Sequence, residues 1–181
     1  MTKLSPLAPE AFPVIPNISG VRMTSVACGV RYSGKLDLLF AEFDVDTQVA
    51  GVFTQSQTAA APVQWCKQAL LEGKARALVV NSGNANAFTG KSGENTVRLT
   101  AEYASEKVNS KSNEIFIAST GVIGEQLPHE KITDAMVNLD TKVNIDWRSA
   151  AEAICTTDTF PKGSYEKVMI GNSEVLIGGI A

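Results

Sequence analysis

Twice in this chain a short apolar run opens into a segment of small polar residues and then into a helical pattern. The first is "ALVV" followed by "NSGNANAFTG", residues 81–90, and a helix expected over 95–108. The second is "NEIFIA" followed by "STGVIG", residues 119–124, and a helix expected over "HEKITDAMVNL". Strand, loop and helix in succession demand a sheet with helices packed on it, so a mixed α/β layered domain is expected. No fixed period recurs, which excludes a repeat architecture.

Around these units the chain reads as follows. Residues 1–20, "MTKLSPLAPEAFPVIPNISG", are punctuated by proline, which fixes φ and restricts its predecessor, and are expected to form an extended arm. The remainder, 21–181, is expected to be a single α/β domain. It opens with a β meander over 21–54, in which "VRMTSVACGVRY" and "LDLLFAEFDVD" flank the short turn "SGK" and "QVAGVFT" follows as a third strand. A helix is expected over 62–72, with Pro62 in its first turn and Gly73 just past its end. Its apolar face contains Trp65, Cys66, Ala69 and Leu70, making Cys66 a core residue. Val97, Ala101, Ala104 and Val108 share one face of the helix over 95–108. Asp146 suits the N-cap of a further helix carrying Trp147, Ala150, Ala151 and Ile154. Gly171-Asn172, inside "KVMIGNSEVLIGGIA", suits a two-residue hairpin loop.

The composition removes several function classes. Hydrophobic residues make up 44% of the 181 and charged residues 19%, enough for a buried core and unlike a disordered chain. A formal charge of -3 with scattered Lys and Arg argues against nucleic acid or an anionic membrane surface as partner. The three cysteines, Cys28, Cys66 and Cys155, form no C-x-x-C pair, so neither a zinc site nor a disulfide framework is expected. No apolar run reaches the length of a membrane span, and the N-terminus lacks the features of a signal or transit peptide. A cytoplasmic location with reduced thiols is the expectation.

Both Gly/Asn loops lie where a strand ends and a helix begins, a place of free backbone N–H groups suited to a carboxylate, a phosphate or a developing oxyanion. Neither the P-loop pattern nor G-x-G-x-x-G is present. Thr120-Gly121 offers a hydroxyl beside a glycine N–H, which suits oxyanion stabilisation; the same residues also serve as ordinary turn formers. Conventional catalytic bases are scarce. His129 is the sole histidine and sits at a helix start, between Pro128 and Glu130. "TTDTFPK", residues 156–162, brings hydroxyls, a carboxylate and a lysine to a helix exit, where they serve either as caps or as ligand contacts. The final "EVLIGGIA" ends within an apolar run, unlike the usual polar terminus, and reads as a piece of a cut or trimmed protein.

Five ordered blocks, "GVFTQSQTAAAPV", "ALVVNSGNANAFTG", "IASTGVIGEQLP", "AICTTDTFPK" and "IGGIA", resemble the alpha chain of the glutamate N-acetyltransferase (ornithine acetyltransferase) family of arginine biosynthesis. The resemblance runs from about residue 20 to the end. It implies an α/β sandwich of the family's own type, with the chemistry of N-terminal-nucleophile hydrolases rather than their topology. It also implies a precursor that cuts itself, freeing a threonine at the start of a beta chain as nucleophile. Acetyl would pass from N-acetylornithine to that threonine and then to glutamate, and some members also accept acetyl-CoA as donor.

By the resemblance, Thr120 and Gly121 supply the oxyanion hole and Thr156 contacts substrate, with Thr157 adjacent. Asn84 and Asn86 are expected in the pocket wall, orienting a substrate amide or the loop carrying Thr120. No metal or cofactor is implied, and an α2β2 assembly fits the family. The family pattern continues past "GGIA" through Lys-Gly-Ser-Gly to an Ala-Thr cleavage point, so the nucleophile and a substrate-binding lysine are expected beyond Ala181, and this chain alone is expected to be inactive. Two alternatives are a self-processing aminopeptidase or amidase, in which water attacks, and a non-catalytic anion-binding module.

Overall fold

The computed structural model describes residues 4–139 and 146–181. Four strands form one sheet in the order β1 (Val21–Val26), β2 (Leu38–Phe43), β3 (Ala77–Asn84), β4 (Ile115–Val122). The first three are antiparallel neighbours, whereas β3 and β4 run parallel. Parallel neighbours require a crossover, and α2 (Gly90–Lys107) supplies it. The helix α1 (Ala61–Ala69) precedes β3, and α3 (His129–Val137) and α4 (Trp147–Ile154) follow β4. A separate antiparallel ribbon, β5 (Gly163–Ile170) and β6 (Ser173–Ile180), ends the chain.

The sheet is covered on both faces, and the period-two alternation of its strands sorts the core into two layers. Leu38, Phe40, Val79, Ile115 and Ile117 pack against Val97, Ala101 and Ala104 of α2 and Ile132 and Met136 of α3. Leu39, Ala41 and Val80 face the other way, against Ala150 and Ala153 of α4. This is the mixed α/β layering that the strand–loop–helix pattern requires.

Helix ends follow their sequence signals. The Asp146 carboxylate accepts from the Arg148 N–H at 3.0 Å and caps α4. α1 passes into a 3₁₀ turn, Leu70–Glu72, which Gly73 closes at φ 66°. Gly171, at φ 62°, turns the β5–β6 ribbon. The outer edge of β4 is shielded by α1 side chains: Trp65 Nε1 donates to the Ile115 carbonyl at 2.8 Å. The Cys66 sulfur accepts from the Ile117 N–H at 3.3 Å and donates to the Ile117 carbonyl at 3.2 Å. Cys66 is thus a buried core thiol that also blunts a sheet edge.

The structure corrects four sequence expectations. Residues 48–54 form no third meander strand; the segment makes only an isolated bridge, Gln48 with Lys74. Both edges of β2 are already occupied, by β1 and β3, and Val52 is exposed with nothing to pack on. The β1–β2 connection is not the tight turn "SGK" but the whole of residues 27–37. Strands β3 and β4 run on into both expected loops, to Asn84 and Val122, because Asn81, Ser82 and Asn84 are buried and laddered rather than solvated. α2 starts at Gly90, before the expected 95. A side chain at Gly93 would meet Thr89 Oγ1 at 1.9 Å and Asn86 Oδ1 at 2.5 Å, so glycine lets the helix begin against the asparagine segment.

Candidate active site

The ends of β3 and β4 lie side by side, with Ser82 opposite Thr120 and Gly83 opposite Gly121. Gly121 has φ 132°, and a Cβ there would stand 2.4 Å from the Gly83 carbonyl carbon and 2.6 Å from the Asn84 nitrogen. Both obstacles are backbone, so only glycine fits. In a parallel ladder the N–H and C=O of one residue share an edge, and the next residue's face the other. Ile117 turns both groups outward to Cys66, while the Val122 carbonyl turns inward to the Ala85 N–H at 2.8 Å. The same alternation carries the Gly121 N–H to the outer edge, beyond the part of β4 that α1 shields.

A cleft of about 380 Å³ opens here. Thr120, Gly121, Thr156 and Thr157 line it together, from β4 on one side and the exit of α4 on the other. Its remaining wall includes Gly83 and, from the 27–37 connection, Arg31, Tyr32 and Lys35. No carboxylate, imidazole or thiol is among the lining residues. Such a surface can bind an anion or polarise a carbonyl, and it offers none of the carboxylate, imidazole or thiol groups that most often activate a nucleophile.

The 27–37 connection, whose sequence suggests strand and turn, is shaped by one buried carboxylate. Asp37 accepts from the backbone N–H groups of Cys28 at 2.6 Å, Gly29 at 3.3 Å and Val30 at 2.7 Å. Cations anchor it to its surroundings, among them Arg31, which pairs with Glu125 at 3.0 Å, and Lys131, whose Nζ donates to the Gly29 carbonyl at 2.5 Å. The only signal in the sequence is an aspartate just before an apolar strand, which is too common to single out.

Asn84 and Asn86 sit behind this cleft rather than among its lining residues. Asn84 Nδ2 donates to the Glu125 carbonyl at 3.1 Å, and its Oδ1 accepts from the Asn86 N–H at 2.8 Å. Asn86 is fully buried; its Nδ2 donates to the Gly93 carbonyl at 3.0 Å and its Oδ1 accepts from Thr89 Oγ1 at 2.8 Å. Asn81 donates to the Asn84 carbonyl at 2.9 Å and accepts from Ser119 Oγ at 2.6 Å. Each amide in this stretch therefore satisfies backbone or side-chain groups of the loops themselves. Asn86 also holds φ 47°, a left-handed conformation that asparagine tolerates.

The other reactive side chains stand apart. His129 lies at the start of α3 with Nδ1 3.5 Å from Glu130 Oε2. Burial, aided by the Asp37 charge, pushes the Cys28 thiol up to about 12, and burial also raises Cys66 and Cys155, so none is a ready thiolate. Below Thr157, Asp158 forms an ion pair with Lys162 that holds its carboxyl below the usual carboxylate range. Among the described residues no group of three or more His, Cys, Asp or Glu could hold a metal ion, and no helix is long and apolar enough to cross a membrane.

A family model described as "ArgJ family" matches residues 22–181. This chain belongs to the ArgJ family. It is 50% identical to the arginine biosynthesis bifunctional protein ArgJ of Bradyrhizobium diazoefficiens, a match covering 99% of this chain and 44% of the relative. The ArgJ protein of Mesorhizobium japonicum is 48% identical over the same shares. The chain thus spans under half the length of these relatives. Among solved structures, that of the ArgJ protein of Bacillus halodurans superposes with a TM-score of 0.85 at 32% identity, covering 90% of this chain and 86% of that one. The ornithine acetyltransferase of Mycobacterium tuberculosis, solved with ornithine, gives 0.79 at 35% identity, covering 90% and 88%. The fold is therefore that of the ArgJ and ornithine acetyltransferase structures, as the resemblance implied.

Proposed function

We propose that this chain forms the oxyanion-stabilising half of an acyltransferase that moves acetyl from N-acetylornithine to glutamate in arginine biosynthesis. The observation that carries the reading is the cleft that Thr120, Gly121 and Thr156 line together, with no histidine, carboxylate or thiol in its walls. In this reading the nucleophile is a threonine at the start of a beta chain, cut from the same precursor. Its own α-amino group, of ordinary pKa near ~8, takes the hydroxyl proton. The threonine oxygen bonds to the acetyl carbon, and charge develops on the carbonyl oxygen beside the Thr120 hydroxyl and the Gly121 N–H. The C–N bond then breaks, and the ornithine amine leaves with the proton. In the second half the glutamate amine attacks the acetyl ester, and the threonine hydroxyl is restored. Thr156, with Thr157 adjacent, contacts the substrate.

ArgJ-family membership and the ornithine acetyltransferase neighbour support this reading. Acetyl-CoA as a second donor, an α2β2 assembly and a cytoplasmic location belong to the same proposal; no cofactor or metal is required. The test is intact-mass measurement on the full-length protein before and after N-acetylornithine. Two chains, the downstream one beginning with threonine and gaining a single acetyl group that glutamate then removes, are expected. A single uncut chain without an adduct overturns the reading. Release of free acetate with no acetylglutamate assigns a hydrolase instead, and ligand binding by this chain alone, without an acetylated partner, assigns a binding module.

A further inference from the structure

Lys35 lines the cleft from the 27–37 connection, yet its ammonium pairs with no carboxylate among the described residues. Its Nζ donates to the Cys155 carbonyl at 2.7 Å and lies 5.9 Å from the centre of the Tyr32 ring. Cys155 is the C-cap of α4, already out of the helix at ψ 139°. Its carbonyl belongs to the peptide plane that leads directly into Thr156. A cation at a helix C-terminus also meets the negative end of the helix dipole.

We propose that Lys35 is a positioning residue for Thr156, setting the peptide before it so that the substrate-contacting hydroxyl faces the oxyanion donors. Three observations converge on this role. The tether joins elements 120 residues apart in sequence, and it ends on the bond that orients Thr156. The loop that carries Lys35 is held rigid by three N–H groups on the buried Asp37 carboxylate. The same loop is clamped to the segment following β4 by Arg31 and Glu125, which gives one frame to both walls of the cleft. The other contacts of the helix exit, the Asp158–Lys162 pair, the Cys155 thiol on the Ala151 carbonyl and the Ser5 N–H on Thr159 Oγ1, leave the Cys155 carbonyl to Lys35.

The inference rests on the acetyl-transfer reading of the cleft, and its test is made on the full-length, self-processed enzyme. K35M keeps the aliphatic stem and removes the donor. It is expected to lower kcat/KM for N-acetylornithine by about 10- to 100-fold, mainly through KM, because small displacements of a binding group are that costly. Self-cleavage and the melting midpoint are expected to stay unchanged, and K35R, which restores a donor, to recover most of the loss. Wild-type kcat/KM in K35M overturns the tether. So does a loss that follows the folded fraction, or one that K35R fails to relieve. If the wild-type enzyme transfers no acetyl at all, the reading of the cleft fails and the positioning role fails with it; a failure confined to K35M leaves that reading intact.

Discussion

The asparagine-rich end of β3 and the 27–37 connection make an instructive pair. The asparagine stretch advertises itself with three amides, yet those side chains are spent on one another and on nearby carbonyls. The connection has the composition of an ordinary hairpin, yet it brings Arg31, Tyr32 and Lys35 to the cleft. Polar residues crowded into a short stretch mark a backbone that needs many local partners, not by themselves a ligand site. Donors free for a ligand come instead from segments whose own hydrogen bonds are satisfied elsewhere, as the Asp37 carboxylate does for the 27–37 loop.

The contrast can be broken experimentally. Gly121→Ala is the harshest variant: the clash with Gly83 and the positive φ act together, at a cost on the order of 3 kcal/mol of stability. Urea unfolding measures that loss, and acetyl transfer by the full-length protein is expected to be abolished. Thr120→Ala is expected to leave the unfolding midpoint in place while lowering kcat by roughly 100-fold or more, as expected for one oxyanion donor. Unaltered kcat in that variant removes Thr120 from the chemistry.

Asn86→Ala probes the other side of the comparison. It strands the Gly93 carbonyl and the Thr89 hydroxyl in a buried setting, so a loss of about 2 kcal/mol in chemical denaturation is expected, with kcat/KM per folded molecule retained. An activity loss without a stability loss would return the amides to the substrate. Asp158→Asn is the mildest. Because Lys162 depresses the Asp158 pKa in the folded state, the pair contributes stability above the unfolded carboxyl value of 3.8, lost as pH falls through the lower folded value. The partly exposed pair is worth at most ~1 kcal/mol, visible as a flatter melting profile of the variant below about pH 4.

Much of the local structure was legible from single residues. Asp146, Gly73 and Gly171 act through contacts within a few residues of themselves, so their signals survive any tertiary arrangement. The apolar face of α2 and the buried Cys66 followed equally from spacing. What failed depends on who neighbours whom. The run of residues 48–54 cannot pair with β2, whose two edges are taken by β1 and β3, which only the strand order reveals. The junction of Thr120 with Thr156 was named from family resemblance; spacing alone offers no reason for residues so far apart to share a cleft. Lys35 escaped both routes, since its partner is a carbonyl, and a carbonyl has no identity in the sequence.

The Gly83–Gly121 contact has a consequence for the order of folding. β1 meets β2 across the short connection 27–37, whereas β2 reaches β3 only after residues 44–76 have closed, and β3 reaches β4 only after the crossover of residues 85–114 has closed. Loop-closure entropy delays both of these long-range pairings relative to β1–β2. The glycine edge is then completed after the β1–β2 hairpin, and a chain with that hairpin made and α2 undocked still lacks this donor.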